Sequence, residues 1–302
     1  MAIDIGTNST LHVVADVLDV DDHVIVEHGI VGNMLGVGLD ENSTLDPETM
    51  DLNRSILLSL SEKARNLGCD KIIAVGTHAL RSAKNSEEYI KMADSVGICL
   101  MVISPKLEAE LAWMGIFKGG GSHVNSAALD IGGGSCELSI GFGVSIEWTS
   151  SVQSGAVNLT SKFFLHDPPT QSEIMRTDEY IEESFLTWHG KLNGINNLIG
   201  IGGTITSLAN IEFNITKHHP GALDGIVLSI KHVRSWKERL LVMSEADRSL
   251  IPGMPTARAG NIHMGVLIFH HVLKLLSVVH IKVSNRGVLF GLVHKLSKQE
   301  SW

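Results

Sequence analysis

Ala2-Ile3-Asp4-Ile5-Gly6-Thr7-Asn8-Ser9 stands at the start of the chain, and Ala128-Leu129-Asp130-Ile131-Gly132-Gly133-Gly134-Ser135 echoes it in the second half. Each copy is a short apolar run reaching Asp-Ile, followed by a turn of glycine and hydroxyl or amide residues. A second run follows each, Leu11-His12-Val13-Val14-Ala15-Asp16-Val17 and Glu137-Leu138-Ser139-Ile140-Gly141. The pattern predicts strand, tight turn, strand, once in each half. Glycines and hydroxyls at such a turn let backbone N–H groups converge on an anion. An Asp at the strand end can hold a hard divalent cation beside it. Two such turns facing each other would clamp a phosphate between two domains.

Outward from these turns, strands and helices alternate. Val24–Ile30 reads as a third strand, followed by a loop rich in Gly, Asp and Asn over 32–42. A helix runs from Asp46-Pro47 to Asn66, with Asp46 as N-cap, Pro47 at the first helical position and Gly68 as stop. Lys71–Val75 is a buried strand ending in Gly76-Thr77-His78, Ala79–Ala93 a helix, and Cys99–Ile103 another strand. Ser104 caps a helix from Pro105 to about Ile116, and Gly119-Gly120-Gly121-Ser122 is the best linker or hinge. In the second half, Ser172–His189, Thr206–Ile211 and Ile230–Met243 read as helices. A strand from Leu198 enters the turn Gly202-Gly203-Thr204; a long helix over Asn261–Ser277, a strand His280–Val283 and a closing helix Gly287–Lys298 complete the chain. Alternation of this kind predicts an α/β fold with mixed sheets. The expected domains are 1–121 and 122–302, with the closing helix, about 287–302, able to pack back on the first. If the halves close on a ligand, the glycine linker and the last helix carry the hinge.

Composition narrows the function. At 302 residues there is length for two domains, and 44% hydrophobic with 19% charged residues is ordinary for a soluble globular protein. A net charge of −9 argues against broad nucleic-acid binding, yet leaves room for a small anion held by a local nest and a metal. Cys69, Cys99 and Cys136 form no metal or CxxC spacing, which suits a reducing compartment. Asp4 interrupts any secretory leader, so the expected location is cytoplasmic. Ile262–Ile281 carries His263, His270, His271, Lys274 and His280 and is too polar to span a membrane. His218-His219 and His270-His271 lack partners at ligand spacing and read as ordinary core or surface histidines.

Three glycine/hydroxyl turns after apolar strands, two of them preceded by Asp-Ile, are neither a Walker A loop nor a clean dinucleotide fingerprint. Together they resemble the actin, sugar-kinase and heat-shock chaperone superfamily. Within it the chain resembles the exopolyphosphatase/guanosine pentaphosphate phosphohydrolase (Ppx/GppA) family. The matching segments are Asp4–Ser9, Gly76-Thr77-His78-Ala79-Leu80-Arg81, Ile103-Ser104 with Glu108-Ala109, and Asp130–Leu138. Ser154-Gly155-Ala156-Val157, Gly200–Thr204 and Val283-Ser284-Asn285-Arg286-Gly287 follow in the family's order. The resemblance implies two ribonuclease H-like (actin-like ATPase) domains with the active site in the cleft between them. It also implies Mg²⁺-dependent hydrolysis of terminal phosphoanhydrides, in a form without additional C-terminal helical domains.

The resemblance places Glu108 at the family's general base, where a carboxylate in the first turn of a helix can deprotonate water attacking phosphorus. Arg81, after a strand-end turn, suits a bidentate phosphate contact. Asp130 and Glu137 fit a Mg²⁺ site, with Asp4 as a third acid or as the residue that fixes its own turn. Thr7, Asn8, Ser9, Gly133, Gly134, Ser135, Gly203 and Thr204 are the candidate phosphate contacts. The expected reaction releases terminal phosphate from polyphosphate or guanosine pentaphosphate; no nucleic-acid or membrane partner is expected, and a homodimer is left open. Pro105 replaces the family's usual Gly, Glu110 an Arg, and Asn158 an Arg, each making the site less basic, with Lys106 a partial substitute. Two alternatives therefore stand: a weakly active or non-catalytic binder of polyphosphate or alarmone, and an ATP-using kinase or ATPase of the superfamily.

Overall fold

β1 (Ala2–Ile5) organises the first half of the chain, with Ile3 and Ile5 fully buried on one face and Ala2 buried on the other. A strand covered on both sides belongs at the centre of a sheet. It pairs antiparallel with β2 (Ser9–Asp19), which pairs antiparallel with β3 (Asp22–Gly32). On its other side it runs parallel to β4 (Ile73–Gly76), which runs parallel to β5 (Cys99–Val102), giving the order β3-β2-β1-β4-β5. Parallel neighbours need crossovers. These are α1 (Pro47–Asn66) before β4, and α2 (His78–Ser82) with α3 (Ser86–Ser95) before β5; α4 (Pro105–Ile116) follows β5. The structure, a computed structural model, describes residues 1–19, 22–37, 39, 43–195, 197–216 and 221–298.

The second sheet is built on the same plan. β6 (Ser122–Ile131), β7 (Cys136–Gly143) and β8 (Ser145–Val152) form an antiparallel meander, and β9 (Asn197–Ile201) lies parallel to β6. β11 (His280–Val283) runs parallel to β9, and β10 (Val227–Ser229) pairs antiparallel at the edge, in the order β10-β11-β9-β6-β7-β8. Without β10, this order, β8-β7-β6-β9-β11, repeats that of the first sheet. The helices here are α5 (Ala156–Phe163), α6 (Gln171–Ser184), α7 (Gly202–Glu212), α8 (Ile230–Leu240), α9 (Glu245–Ser249) and α10 (Ile262–Leu275). Nearly every side chain of α10 is buried, His263 and His270 included, so it is a core helix. No described helix is long and apolar enough to cross a membrane.

By internal contacts the chain divides into Met1–Gly119 with Val288–Trp302, and Gly120–Gly287. Gly119 and Gly121, at φ +73° and +75°, make the turn into β6. The closing helix α11 (Val288–Ser297) packs on α4, so close that a Cβ at Gly291 would overlap the Leu111 carbonyl oxygen.

Three readings need correction. Ala79–Ala93 is not one helix: Ala83 adopts an extended conformation (ψ 125°) between α2 and α3. Asn85 holds the break open, its Nδ2 donating to Leu45 O and its Oδ1 accepting from Leu45 N, both at 2.9 Å. Gly202-Gly203-Thr204 is not a turn ahead of a helix but the first turn of α7 itself, entered through Gly202 at φ +85°. The helix read over Ser172–His189 ends at Ser184 and passes into a 3-10 turn, Leu186–Trp188. His218-His219 and part of the loop over 32–42 lie outside the described residues.

Candidate active site

The two repeated turns share one backbone design. Gly6 N donates to Ser9 O at 3.0 Å, and Gly132 N donates to Ser135 O at 3.0 Å. In the first turn the carbonyls of Gly6, Thr7 and Asn8 accept from Asn33 Nδ2 (2.9 Å), Gly36 N (2.8 Å) and Asn33 N (3.1 Å). In the second, Gly132 O accepts from Ala156 N (3.0 Å), Gly133 O from Val157 N (2.8 Å) and Asn158 N (3.3 Å). Gly134 O accepts from Gly155 N (3.2 Å) and Asn158 Nδ2 (3.0 Å). In a trans peptide the C=O and the following N–H point in opposite directions. Tying three successive carbonyls to one side therefore turns the amides of Thr7, Asn8 and Ser9, and of Gly133, Gly134 and Ser135, to the other. The amides of Thr7, Gly133, Gly134 and Ser135 meet no acceptor among the described residues. Successive converging N–H groups make an anion-binding concavity.

Arg81 and Glu108 come together in the first unit. Arg81 sits on α2 directly after β4; Glu108 is in the first turn of α4, whose N-cap Ser104 accepts from Leu107 N at 3.2 Å with Pro105 at the first position. Arg81 Nη1 donates to Glu108 Oε2 at 2.7 Å and to Ile103 O at 3.0 Å. The side chains are 17% and 14% exposed, and Arg81 Nη2 is buried with no hydrogen-bond partner. One arm of the arginine's fork is thus spent on the carboxylate and the Ile103 carbonyl, and the other, buried Nη2, is left unsatisfied. Burial pushes the Glu108 carboxyl above its ordinary range, and the charge and hydrogen bond of Arg81 pull it back down.

The carboxylates of the second unit form a pair. Asp130 and Glu137 stand opposite each other on β6 and β7. Glu137 Oε1 accepts from Ser151 Oγ at 2.7 Å. Cys136, next to Glu137 on β7, pairs with Ile131 and faces the core; its buried thiol is pushed well up by burial and by the charges of Glu137 and Asp130, so it is inert. Among the described residues no three His, Cys, Asp or Glu group as a ready metal cage. Two carboxylates with room for water and phosphate oxygens fit Mg²⁺, which keeps several such ligands, better than they fit Zn²⁺. Asp4 lies on β1 in the first unit.

At the start of α7, Asp130 Oδ1 occupies the space a Cβ on Gly202 would need, which brings an acidic group to a helix N-terminus. Gly203 lets the Arg258 guanidinium lie where a Cβ would be, so a side chain here would displace that arginine. Thr204 offers backbone only: its side chain is 2% exposed and packs against Gly265 of α10. Arg258 comes from the 3-10 turn Thr256–Arg258, and no spacing in the sequence announces it or Asn33.

Residues 13–300 match the model of the Ppx/GppA phosphatase family. The chain belongs to this family. Among solved structures it is similar to an exopolyphosphatase from Cytophaga hutchinsonii ATCC 33406, at 27% identity over 99% of this chain and 98% of that one, with a TM-score of 0.89. It is also similar to the Aquifex aeolicus PPX-GPPA enzyme, at 28% identity over 97% and 98% of the two chains, with a TM-score of 0.79. The chain is accordingly a phosphoanhydride hydrolase with the two-domain actin-like ATPase fold.

The phosphatase departs from its family's pattern where the structure gives each change a setting. Pro105 occupies a helix position whose N–H needs no partner. Lys106 Nζ is 3.9 Å from Glu110, both on the solvated face of α4, so the lysine answers the glutamate's charge. Such exposed pairs contribute little. Asn158, 8% exposed, is turned into the Gly133-Gly134 backbone.

Proposed function

We propose that this phosphatase releases terminal phosphate from inorganic polyphosphate, guanosine pentaphosphate or both, with Glu108 as general base and a hard divalent cation, Mg²⁺ or similar, as cofactor. The observation that carries the reading is the Arg81–Glu108 pair with its unused Nη2. A desolvated carboxylate with a raised pKa is a stronger base than an exposed one, and the neighbouring guanidinium favours its charged form. Glu108 accepts a proton from the attacking water, while Arg81 Nη2 donates to a phosphoryl oxygen. The amides of Thr7–Ser9 and of Gly133–Ser135 stabilise charge on the phosphate without having to reorganise. A cation held by Asp130 and Glu137 neutralises phosphoryl charge when bound, with Asp4 the remaining candidate carboxylate. The first turn of α7 adds N–H groups from Gly203 and Thr204.

The test is phosphate release from polyphosphate and from guanosine pentaphosphate with Mg²⁺, and again after chelation, for the wild type and Glu108→Gln. The proposal expects release by the wild type, loss on chelation and loss in the variant. Equal rates for the two proteins would remove Glu108 from the chemistry. Saturable binding with no turnover would turn the reading to that of a non-catalytic binder.

A further inference from the structure

Both anion turns depend on one buried asparagine, and the two are counterparts. Asn33 is fully buried; its Nδ2 donates to Gly6 O (2.9 Å) and Thr10 Oγ1 (3.1 Å), and its Oδ1 accepts from Leu35 N (3.2 Å). Its own carbonyl accepts from Asn53 Nδ2 (2.8 Å), and Asn53 Oδ1 accepts from the buried Tyr89 hydroxyl (2.8 Å). In the second unit Asn158 serves the other end of the turn, its Nδ2 on Gly134 O, the third carbonyl, and its backbone N–H on Gly133 O, while Gly132 O, the equivalent of Gly6 O, is held by Ala156 N. At each turn this donor comes from a side chain rather than the main chain, so a substitution can remove it. Gly6 O loses its side-chain donor with Asn33, and Gly134 O is left with Gly155 N alone (3.2 Å) without Asn158; a carbonyl so loosened can rotate its peptide plane, and the N–H of the next residue rotates with it.

We infer that Asn33 and Asn158 are matched positioning residues that set the Gly6-Thr7 and Gly134-Ser135 peptide planes so that the following N–H groups face substrate phosphate. This rests on the proposed phosphate-hydrolysing reading. Neither side chain touches the reacting atoms; each acts through a turn. In place of a charged side chain at position 158, this enzyme has a neutral donor that serves the backbone. Asn158→Asp keeps the size, removes the donor and sets a carboxylate against the Gly134 carbonyl, so it is the more severe change.

The experiment has two readouts on Asn33→Ala, Asn158→Ala and Asn158→Asp. The first is kcat/KM on polyphosphate with Mg²⁺ across pH. The second is the shift of the Thr7, Gly133, Gly134 and Ser135 amide resonances on titration with inorganic phosphate. Expected are a loss in kcat/KM of about 10- to 100-fold, the size set by displaced positioning and oxyanion donors, and an acid limb, set by Glu108, that does not move. Asn158→Ala weakens the response of Ser135, whose preceding carbonyl, Gly134 O, keeps only Gly155 N, and leaves those of Gly133, Gly134 and Thr7; Asn33→Ala weakens that of Thr7 and leaves the second turn unchanged. Folded variants with wild-type kcat/KM, or amide responses lost together in both turns, overturn the inference. Should Asn33→Ala not fold, the two Asn158 variants decide alone. Wild-type amide shifts without turnover would refute the proposed hydrolysis and leave the positioning role standing; neither shifts nor turnover would refute both.

Discussion

The first turn carries side chains, Thr7-Asn8-Ser9, and the second carries almost none, Gly132-Gly133-Gly134-Ser135, yet both are closed by the same 3.0 Å bond and both turn their amides the same way. What differs is the company each keeps. The first unit holds the buried Arg81–Glu108 pair; the second holds the facing acids Asp130 and Glu137 and the arginine at Gly203. The two turns are similar cradles, and under the proposed function the side chains around them assign proton transfer to the first unit and charge neutralisation to the second. The comparison teaches that the anion sites are a property of backbone hydrogen bonding, whereas the division of labour lies in a few side chains beyond the turns.

Glu108→Gln and Glu137→Gln break that division most sharply. The first is expected to lower kcat by about 10²- to 10⁴-fold at every Mg²⁺ concentration, as loss of a general base does. The second is expected to be rescued in part by more Mg²⁺; a magnesium titration of both, read as phosphate release, separates the roles. Arg81→Gln removes one phosphate donor and should cost about 10²-fold in kcat/KM. It also removes the influence that lowers the Glu108 pKa, so the acid limb of the pH profile must move to higher pH. A limb that stays or moves down would contradict the pairing.

Smaller effects test the turns themselves. A Cβ on Gly132 would stand 2.9 Å from Ser135 O, against 3.3 Å from Ser9 O for Gly6. Gly132→Ala should therefore destabilise by about 1–3 kcal/mol in urea unfolding, and Gly6→Ala by less. The gentlest test concerns His263, buried against Phe164 and held neutral, its pKa lowered to about 3 chiefly by burial. Because its folded pKa lies below the unfolded one, the unfolded chain binds the proton first. Stability should fall as pH drops from about 6.5 toward 3, with this residue contributing a slope of up to about 1.4 kcal/mol per pH unit. His263→Leu should flatten urea-unfolding free energies across that window.

Much of this was legible because turns and strand runs leave short-range marks. Asp-Ile-Gly after an apolar run fixes a strand end, and Asp46-Pro47 and Ser104-Pro105 fix helix starts within a residue. That Glu108 and Arg81 meet is seen in the structure, but the roles proposed for them come from the family resemblance, since no spacing could supply them. Asn33 and Arg258 were not found, because their meaning lies wholly in what they meet: Gly6, far back in the chain, and the face of Gly203. The break between α2 and α3 was hidden for the same reason. Propensity runs on through Ala83-Lys84-Asn85, and a distant backbone segment at Leu45 overrides it. The glycines of α7 misled in the opposite way, since residues that mark a turn elsewhere begin a helix here, where Arg258 leaves no space for a side chain.

α11 bears on the order in which the molecule can be made. It follows the whole of Gly120–Gly287 in the chain, and it packs on α4, the helix that carries Glu108, through the close approach at Gly291. During synthesis the whole of Gly120–Gly287 can leave the ribosome and fold before the support of the catalytic helix exists. Until that helix docks, the nascent chain holds a complete Gly120–Gly287 unit and a first unit whose α4 lacks its packing partner.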